Sequence, residues 1–217
     1  MGNYEDALRR ETERLAGRIP RRELERLYVQ ARMDSMVDHA TGANSRFAFS
    51  RTLPEEVARA HRHMSPLSFL MLDCDGLKPI NDGYGHDVGD AYLAELVDVL
   101  RGRIEEPVYR LGGDEFGLLL HETAIAGSSA MALRKLGEIS DYRFEMLPPE
   151  ITTVSMGLAA LDLKDDHDTG MLLYNRADRG LRYAKSMGKN TLGIFDPQHY
   201  ESQGGYQLFT PVVRQGS

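Results

Sequence analysis

The chain has 217 residues, 41 % hydrophobic and 27 % charged, enough for one domain with a buried core and some flanking chain. Lys and Arg number 26 against 33 Asp and Glu, and the resulting net charge of −7 argues against non-specific nucleic-acid or anionic-membrane binding, which needs a basic face. A lone cysteine, Cys74, excludes an intrachain disulfide framework and a multi-thiolate zinc site, and the longest apolar runs are strand-sized, far short of a membrane span. Met1 to Arg10 is charged and holds no apolar secretory core, so a cytoplasmic protein is expected.

Residues 1–36 carry eight arginines against seven acids and read as a helical extension that Pro20 breaks in two. Leu24, Leu27, Tyr28 and Ala31 form one apolar stripe on its second half, either a packed face or the start of a dimerising coiled coil. Ser45 to Arg62 reads as a helix with Phe47, Phe49, Leu53 and Val57 toward a core. Leu67 to Leu72 is a continuous apolar run of strand length, buried on both faces. Gly83 to Gly89 reads as a Gly-rich loop, with Asp87 capping a helix that carries Tyr92, Leu93, Leu96, Val97 and Leu100. Pro107–Leu111 and Phe116–Leu120 are short strands joined by a Gly112-Gly113 hairpin. A helix over Ser128–Ile139, a strand over Ile151–Leu158, a helix over Thr169–Met187 and a strand over Thr191–Phe195 follow, then an irregular tail.

From Leu67 to Leu158 the order is β-α-β-β-α-β, which predicts an α+β, ferredoxin-like core with an appended helix and strand and an N-terminal helical extension. The expected divisions are 1–36, 37–196 and 197–217. The fold by itself decides nothing about chemistry.

Three segments draw attention. Asp73-Cys74-Asp75 sets two carboxylates at the end of the most buried strand, hard oxygen ligands for Mg²⁺ or simply a polar strand end. An EF-hand loop is excluded, because the sixth position is Lys78 and the twelfth Tyr84. Gly112-Gly113-Asp114-Glu115 is either an exposed turn or a backbone that admits a ligand beside two acids. Lys185 and Lys189 flank Gly188 at a helix C-terminus, where lysines also serve the helix dipole. If the hairpin strands flank the strand ending at Asp73, the acids converge, a divalent cation is required, and Lys78, Lys185 and Lys189 supply counter-charge for a polyphosphate.

Gly112 to Phe116 reads G-G-D-E-F, and the chain resembles the GGDEF family of diguanylate cyclases. Asp73 to His86 is similar to the family's D-x-D-x-[FL]-K-x-I-N-D-x-x-G-H, Gly89-Asp90 with Leu93 to its G-D-x-x-L, and Asp178 to Asn190 to A-D-x-A-L-Y-x-A-K-x-x-G-[RK]-N. Arg110-Leu111 fits the R-[YFL] before the signature, and Asp38 to Arg46 is a weaker match to D-x-L-T-G-L-x-N-R. The resemblance spans about Asp38 to Phe195, nearly three quarters of the chain.

The resemblance implies the nucleotide-cyclase palm type of the fold, with 37–196 as the catalytic domain. It implies a bacterial second-messenger enzyme that condenses two GTP into cyclic di-GMP and releases pyrophosphate. Such an enzyme acts as a homodimer with Mg²⁺ (Mn²⁺ as an alternative ion) and needs neither nucleic acid nor membrane. Asp73, the Cys74 carbonyl, Asp114 and Glu115 correspond to metal ligands, with Asp114, Glu115 and Lys78 catalytic. Gly76, Leu77, Lys185 and Lys189 correspond to the phosphate environment; Gly112 and Gly113 to substrate-binding backbone; Asn81 and Asp90 to guanine readers; His86 to a nucleotide contact or a helix-entry residue. The family's product-inhibition motif R-x-x-D stands here as R-x-x-E at Arg103 to Glu106, a degenerate inhibitory site. Lys189 replaces the more frequent Arg and loses its fork geometry. The alternative is a non-catalytic GGDEF module that binds GTP or cyclic di-GMP and regulates a partner. A cyclase with an adenine-containing product is disfavoured by Asp90, since adenine leaves that acceptor unpaired.

Overall fold

A computed structural model describes residues 20–102, 105–148, 151–195 and 206–209, together with Asp6, Arg10 and Arg14. The elements are α1 (Arg21–Asp34), α2 (Arg46–His63), β1 (Leu67–Cys74), α3 (Leu77–Tyr84), α4 (His86–Arg101), β2 (Val108–Gly112), β3 (Glu115–His121), α5 (Ile125–Asp141), β4 (Val154–Ala160), α6 (Gly170–Ser186), β5 (Leu192–Phe195) and β6 (Tyr206–Phe209). The strands form one sheet in the order β2-β3-β1-β4-β5-β6. β1 lies antiparallel between β3 and β4, β5 joins β4 in parallel, and β6 closes antiparallel on β5. The first four strands have the ferredoxin-like order.

All eight residues of β1 are buried because both sides of the sheet are covered. Side chains alternate across a strand. Leu70, Leu72 and Cys74 enter a core with Leu93 and Leu96 of α4 and Leu136 of α5. Phe69 and Met71 enter a second core with Phe49 and Leu53 of α2 and Leu173 and Ala177 of α6. The βαββαβ helices thus occupy one face, and α2 with the appended α6 covers the other. Helix α6 approaches β4 and β5 unusually closely: a Cβ on Gly180 would stand 2.7 Å from the Gly193 carbonyl oxygen.

Ser45 and Thr169 are N-caps, accepting bonds from the Ala48 and Leu172 amides. Several expectations are corrected. Gly83–Gly89 is not a loop: α3 and α4 run almost end to end, parted only at Gly85 with φ 92°. Fully buried Ile80 anchors α3, and tertiary burial overrides the local glycine signal. Asp87 lies within the first turn of α4, and Gly85 holds the cap position. β4 begins at Val154, three residues after Ile151, and runs to Ala160. Residues 206–209 of the supposedly irregular tail form β6, which its pairing to β5 stabilises without a local periodicity long enough to read.

Pro20 stands at the N-cap of α1; the preceding half of the extension lies outside the described residues apart from helical Asp6, Arg10 and Arg14. On α1, Leu24, Tyr28 and Ala31 are half-buried, whereas Leu27 is exposed. Among the described residues no helix is long and apolar enough to cross a membrane.

Candidate active site

β1 and β3 pair in a register that sets Asp73 opposite Glu115, and the Cys74 amide donates to the Asp114 carbonyl at 3.2 Å. The acids of the strand end and the hairpin therefore meet. Asp73 is only 5 % exposed, and the Lys185 ammonium of α6 reaches its Oδ2 at 2.6 Å. Burial pushes the Asp73 carboxyl up to about 6; the Lys185 bond opposes this, and the charges of Asp114 and Glu115 add to it. Burial and the Asp114 charge likewise raise Glu115, against the pull of Lys185 and Arg46.

The hairpin needs its two glycines, whose φ values are 155° and 52° at Gly112 and Gly113. Arg110 holds the turn from behind, donating through Nε (3.0 Å) and Nη2 (2.8 Å) to the Gly113 carbonyl and through Nη1 (2.9 Å) to Asp38. Asp38 also accepts from the Thr41 amide and hydroxyl. Burial would raise its carboxyl, but the Thr41 and Arg110 bonds outweigh that and hold it below the usual range. Asp38 and Arg110 lie in the matched motifs, but spacing alone carries no sign that they bond across the sheet edge.

Beyond β1 the chain turns into α3, with Gly76 at its N-cap and Leu77 as its first residue, so the free amides of a helix start follow the acid cluster directly. Lys78 is exposed on α3. Asn81 of α3 faces α4, where Gly89 leaves it room; its Oδ1 is buried with no hydrogen-bond partner among the described residues. His86 and Asp90, one turn apart on α4, are exposed at the same corner. Lys189 donates through Nζ to the Asp75 carbonyl at 3.2 Å.

Asp75 does not join Asp73 as the second ligand of a carboxylate pair. Its side chain accepts from Thr153, Ser155 and the Asn190 amide, so its oxygens are committed to protein donors. The Cys74 thiol is buried against Tyr92, and burial pushes it far up, which leaves the backbone carbonyl as its useful donor. Arg103 lies outside the described residues, and Glu106 is half-buried. Among the described residues no three Asp, Glu, His or Cys side chains already stand as a finished metal-binding group. The donor set nonetheless fits a divalent cation. It consists of hard oxygens, and the charges of Asp114 and Glu115 both bear on the buried Asp73 carboxyl, against which one lysine ammonium is set.

Fold and site together define a palm-type α+β domain whose acids gather where the central strand meets a glycine hairpin. The family model described as the GGDEF domain of diguanylate cyclases matches residues 35–191, and the chain belongs to that family. Diguanylate cyclase DgcS of Shewanella oneidensis is 31 % identical over 176 residues, covering 75 % of this chain and 54 % of that protein. Response regulator PleD of Caulobacter vibrioides is 33 % identical over 166 residues, covering 73 % of this chain and 36 % of that protein. The chain thus spans about half or less of these relatives. Among solved structures, the coiled coil and GGDEF domain of DgcB from Caulobacter crescentus, in complex with c-di-GMP, superimposes with a TM-score of 0.69 at 25 % identity, over 86 % of this chain and 96 % of that one. Diguanylate cyclase SiaD from Pseudomonas aeruginosa, in complex with its activator SiaC, gives a TM-score of 0.67 at 29 % identity, over 86 % and 72 % of the two chains.

Proposed function

We propose that the chain condenses two GTP into cyclic di-GMP as a homodimer, with residues 37–196 as the catalytic unit. Each 3′-oxygen bonds to the other nucleotide's α-phosphorus, each α–β phosphoanhydride bond breaks, and two pyrophosphates and two protons leave. The carrying observation is the buried Asp73 carboxylate, held at 2.6 Å by Lys185 and raised toward neutral pH beside Asp114 and Glu115. Such a cluster calls for a cation.

Asp73, the Cys74 carbonyl, Asp114 and Glu115 would hold the divalent ion, Mg²⁺ in this reading. When bound, it supplies Lewis-acid polarisation and charge neutralisation at the phosphate. Asp114 accepts the 3′-hydroxyl proton. The amides around Gly76 and Leu77 cradle phosphate oxygens, and Gly112 and Gly113 let the nucleotide approach the hairpin backbone. Lys78 stabilises charge on the transferring group, while Lys185 and Lys189, exchanging Asp73 and the Asp75 carbonyl for the nucleotide, hold the outer phosphates. Asn81 and Asp90 read guanine. The unpartnered Asn81 Oδ1 supports this assignment, since a base N–H would relieve the cost of leaving a buried acceptor unpaired. His86 borders the nucleotide.

Incubation of the purified protein with GTP, ATP and Mg²⁺, with identification of the products, tests the reading. Cyclic di-GMP from GTP alone is expected. Replacing Asp114 and Glu115 with Ala abolishes it while the circular dichroism spectrum is kept. Tight GTP binding without turnover in a folded dimer would mark a regulatory binding module instead.

A further inference from the structure

We propose that Asp75 is a positioning residue for the phosphate arm of the site, clasping the α6–β5 turn so that Lys189 is set beside the start of α3. The inference rests on the GTP reading given above for what Lys189 meets there. Gly188, Lys189 and Asn190 all have positive φ, at 117°, 65° and 45°. Two of these are residues with side chains, and such a run persists only where its surroundings over-determine it.

The Gly188 and Lys189 amides bond back to the Lys185 and Ala184 carbonyls of α6, and Asp75 holds the third, that of Asn190, from outside the helix. Its Oδ2 accepts the Asn190 amide at 3.1 Å and the Thr153 hydroxyl at 2.9 Å, and its Oδ1 accepts the Ser155 hydroxyl at 2.6 Å. Its own amide donates to the Thr153 carbonyl at 2.9 Å, and its carbonyl accepts the Lys189 ammonium at 3.2 Å. Ser140 of α5 holds the far side of the turn, donating to Asn190 Oδ1 at 3.2 Å. One carboxylate thereby ties the end of β1, the start of β4 and the strained turn together. Gly76 follows immediately, so the parked ammonium lies next to the α3 amides. Three donors converge on its two oxygens, and Asp75→Asn removes the charge that strengthens those bonds and puts an NH₂ where one of the two acceptors stood.

The test uses Asp75→Asn, Lys189→Met and the double variant in the full chain. Affinity is read for the α,β-methylene analogue of GTP, which cannot release pyrophosphate, and for GMP. Hydrogen exchange of the Asn190 amide is read without nucleotide. Asp75→Asn is expected to weaken the analogue on the order of tenfold, as loss of an outer orienting partner does, with GMP changed less than about twofold. The double variant binds no more weakly than Lys189→Met, and Asn190 exchange quickens on the order of tenfold in Asp75→Asn. Should that variant fail to fold, Thr153→Val, which removes one donor to the same carboxylate, shows the same quickening to a smaller extent. Additive losses in the double variant, or Asn190 exchange unchanged in whichever variant folds, overturn the clasp. Wild type that does not bind the analogue, together with quickened Asn190 exchange in Asp75→Asn, overturns the GTP reading and leaves the clasp standing as a structural device only.

Discussion

Asp73 and Lys185 are far apart in sequence yet form an ion pair at 2.6 Å at the strand end, where burial of Asp73 outweighs it. The Asp73 carboxyl sits at about 6 when folded, against an ordinary value of 3.8, so the folded state binds its proton more tightly. Its contribution to stability is therefore full below pH 3.8 and lost as pH rises through about 6. In urea unfolding without divalent ion, Asp73→Asn is expected to be more stable than wild type at pH 7 and to lose that advantage near pH 4. If Asp73 holds the divalent ion as proposed, the ion competes with the same proton, and Mg²⁺ is expected to protect wild type more at pH 7 than at pH 5 and to leave Asp73→Asn nearly unaffected. At Arg110, by contrast, geometry matters more than charge. Arg110→Lys keeps the cation but loses the two bonds to the Gly113 carbonyl. Turnover should fall on the order of tenfold, as for other outer orienting partners, with far-UV circular dichroism unchanged.

Helix α6 sets the height of Lys185 above Asp73, and it does so through an absence of side chains. Gly180 and Gly193 let the helix backbone lie on β4 and β5. Gly180→Ala inserts a methyl against the Gly193 carbonyl, so the helix must lift. The expected cost is about 1–3 kcal/mol from overpacking, measured by chemical denaturation, with a rise in KM for GTP. Helices α3 and α4 form the other working unit, because the break at Gly85 swings the exposed His86 and Asp90 to the corner where Asn81 faces Gly89.

At the scale of the molecule, the sheet shelters two cores, and the acid cluster opens where β1 ends between them. Among the described residues one copy presents one such strand-end acid cluster and one α3–α4 corner, whereas the proposed product joins two nucleotides. Specific activity should therefore fall on dilution and reach half its plateau near the dimer dissociation constant found by analytical ultracentrifugation. Activity that stays constant across the range in which the dimer dissociates would contradict a two-chain site.

The order and type of the main elements were legible in the residues, because hydrophobic periodicity and N-caps such as Ser45 and Thr169 act locally. The signature and its flanking motifs named the family for the same reason, since chemistry requires those residue types at those spacings. The tertiary structure alone separated Asp73 from Asp75, two like residues at one strand end: the first faces Lys185, the second is spent on Thr153, Ser155 and Asn190. It alone turned the supposed Gly83–Gly89 loop into helix and recruited residues 206–209 to the sheet. Those outcomes depend on which distant donors and apolar surfaces arrive at each position, and sequence neighbours hold no record of that.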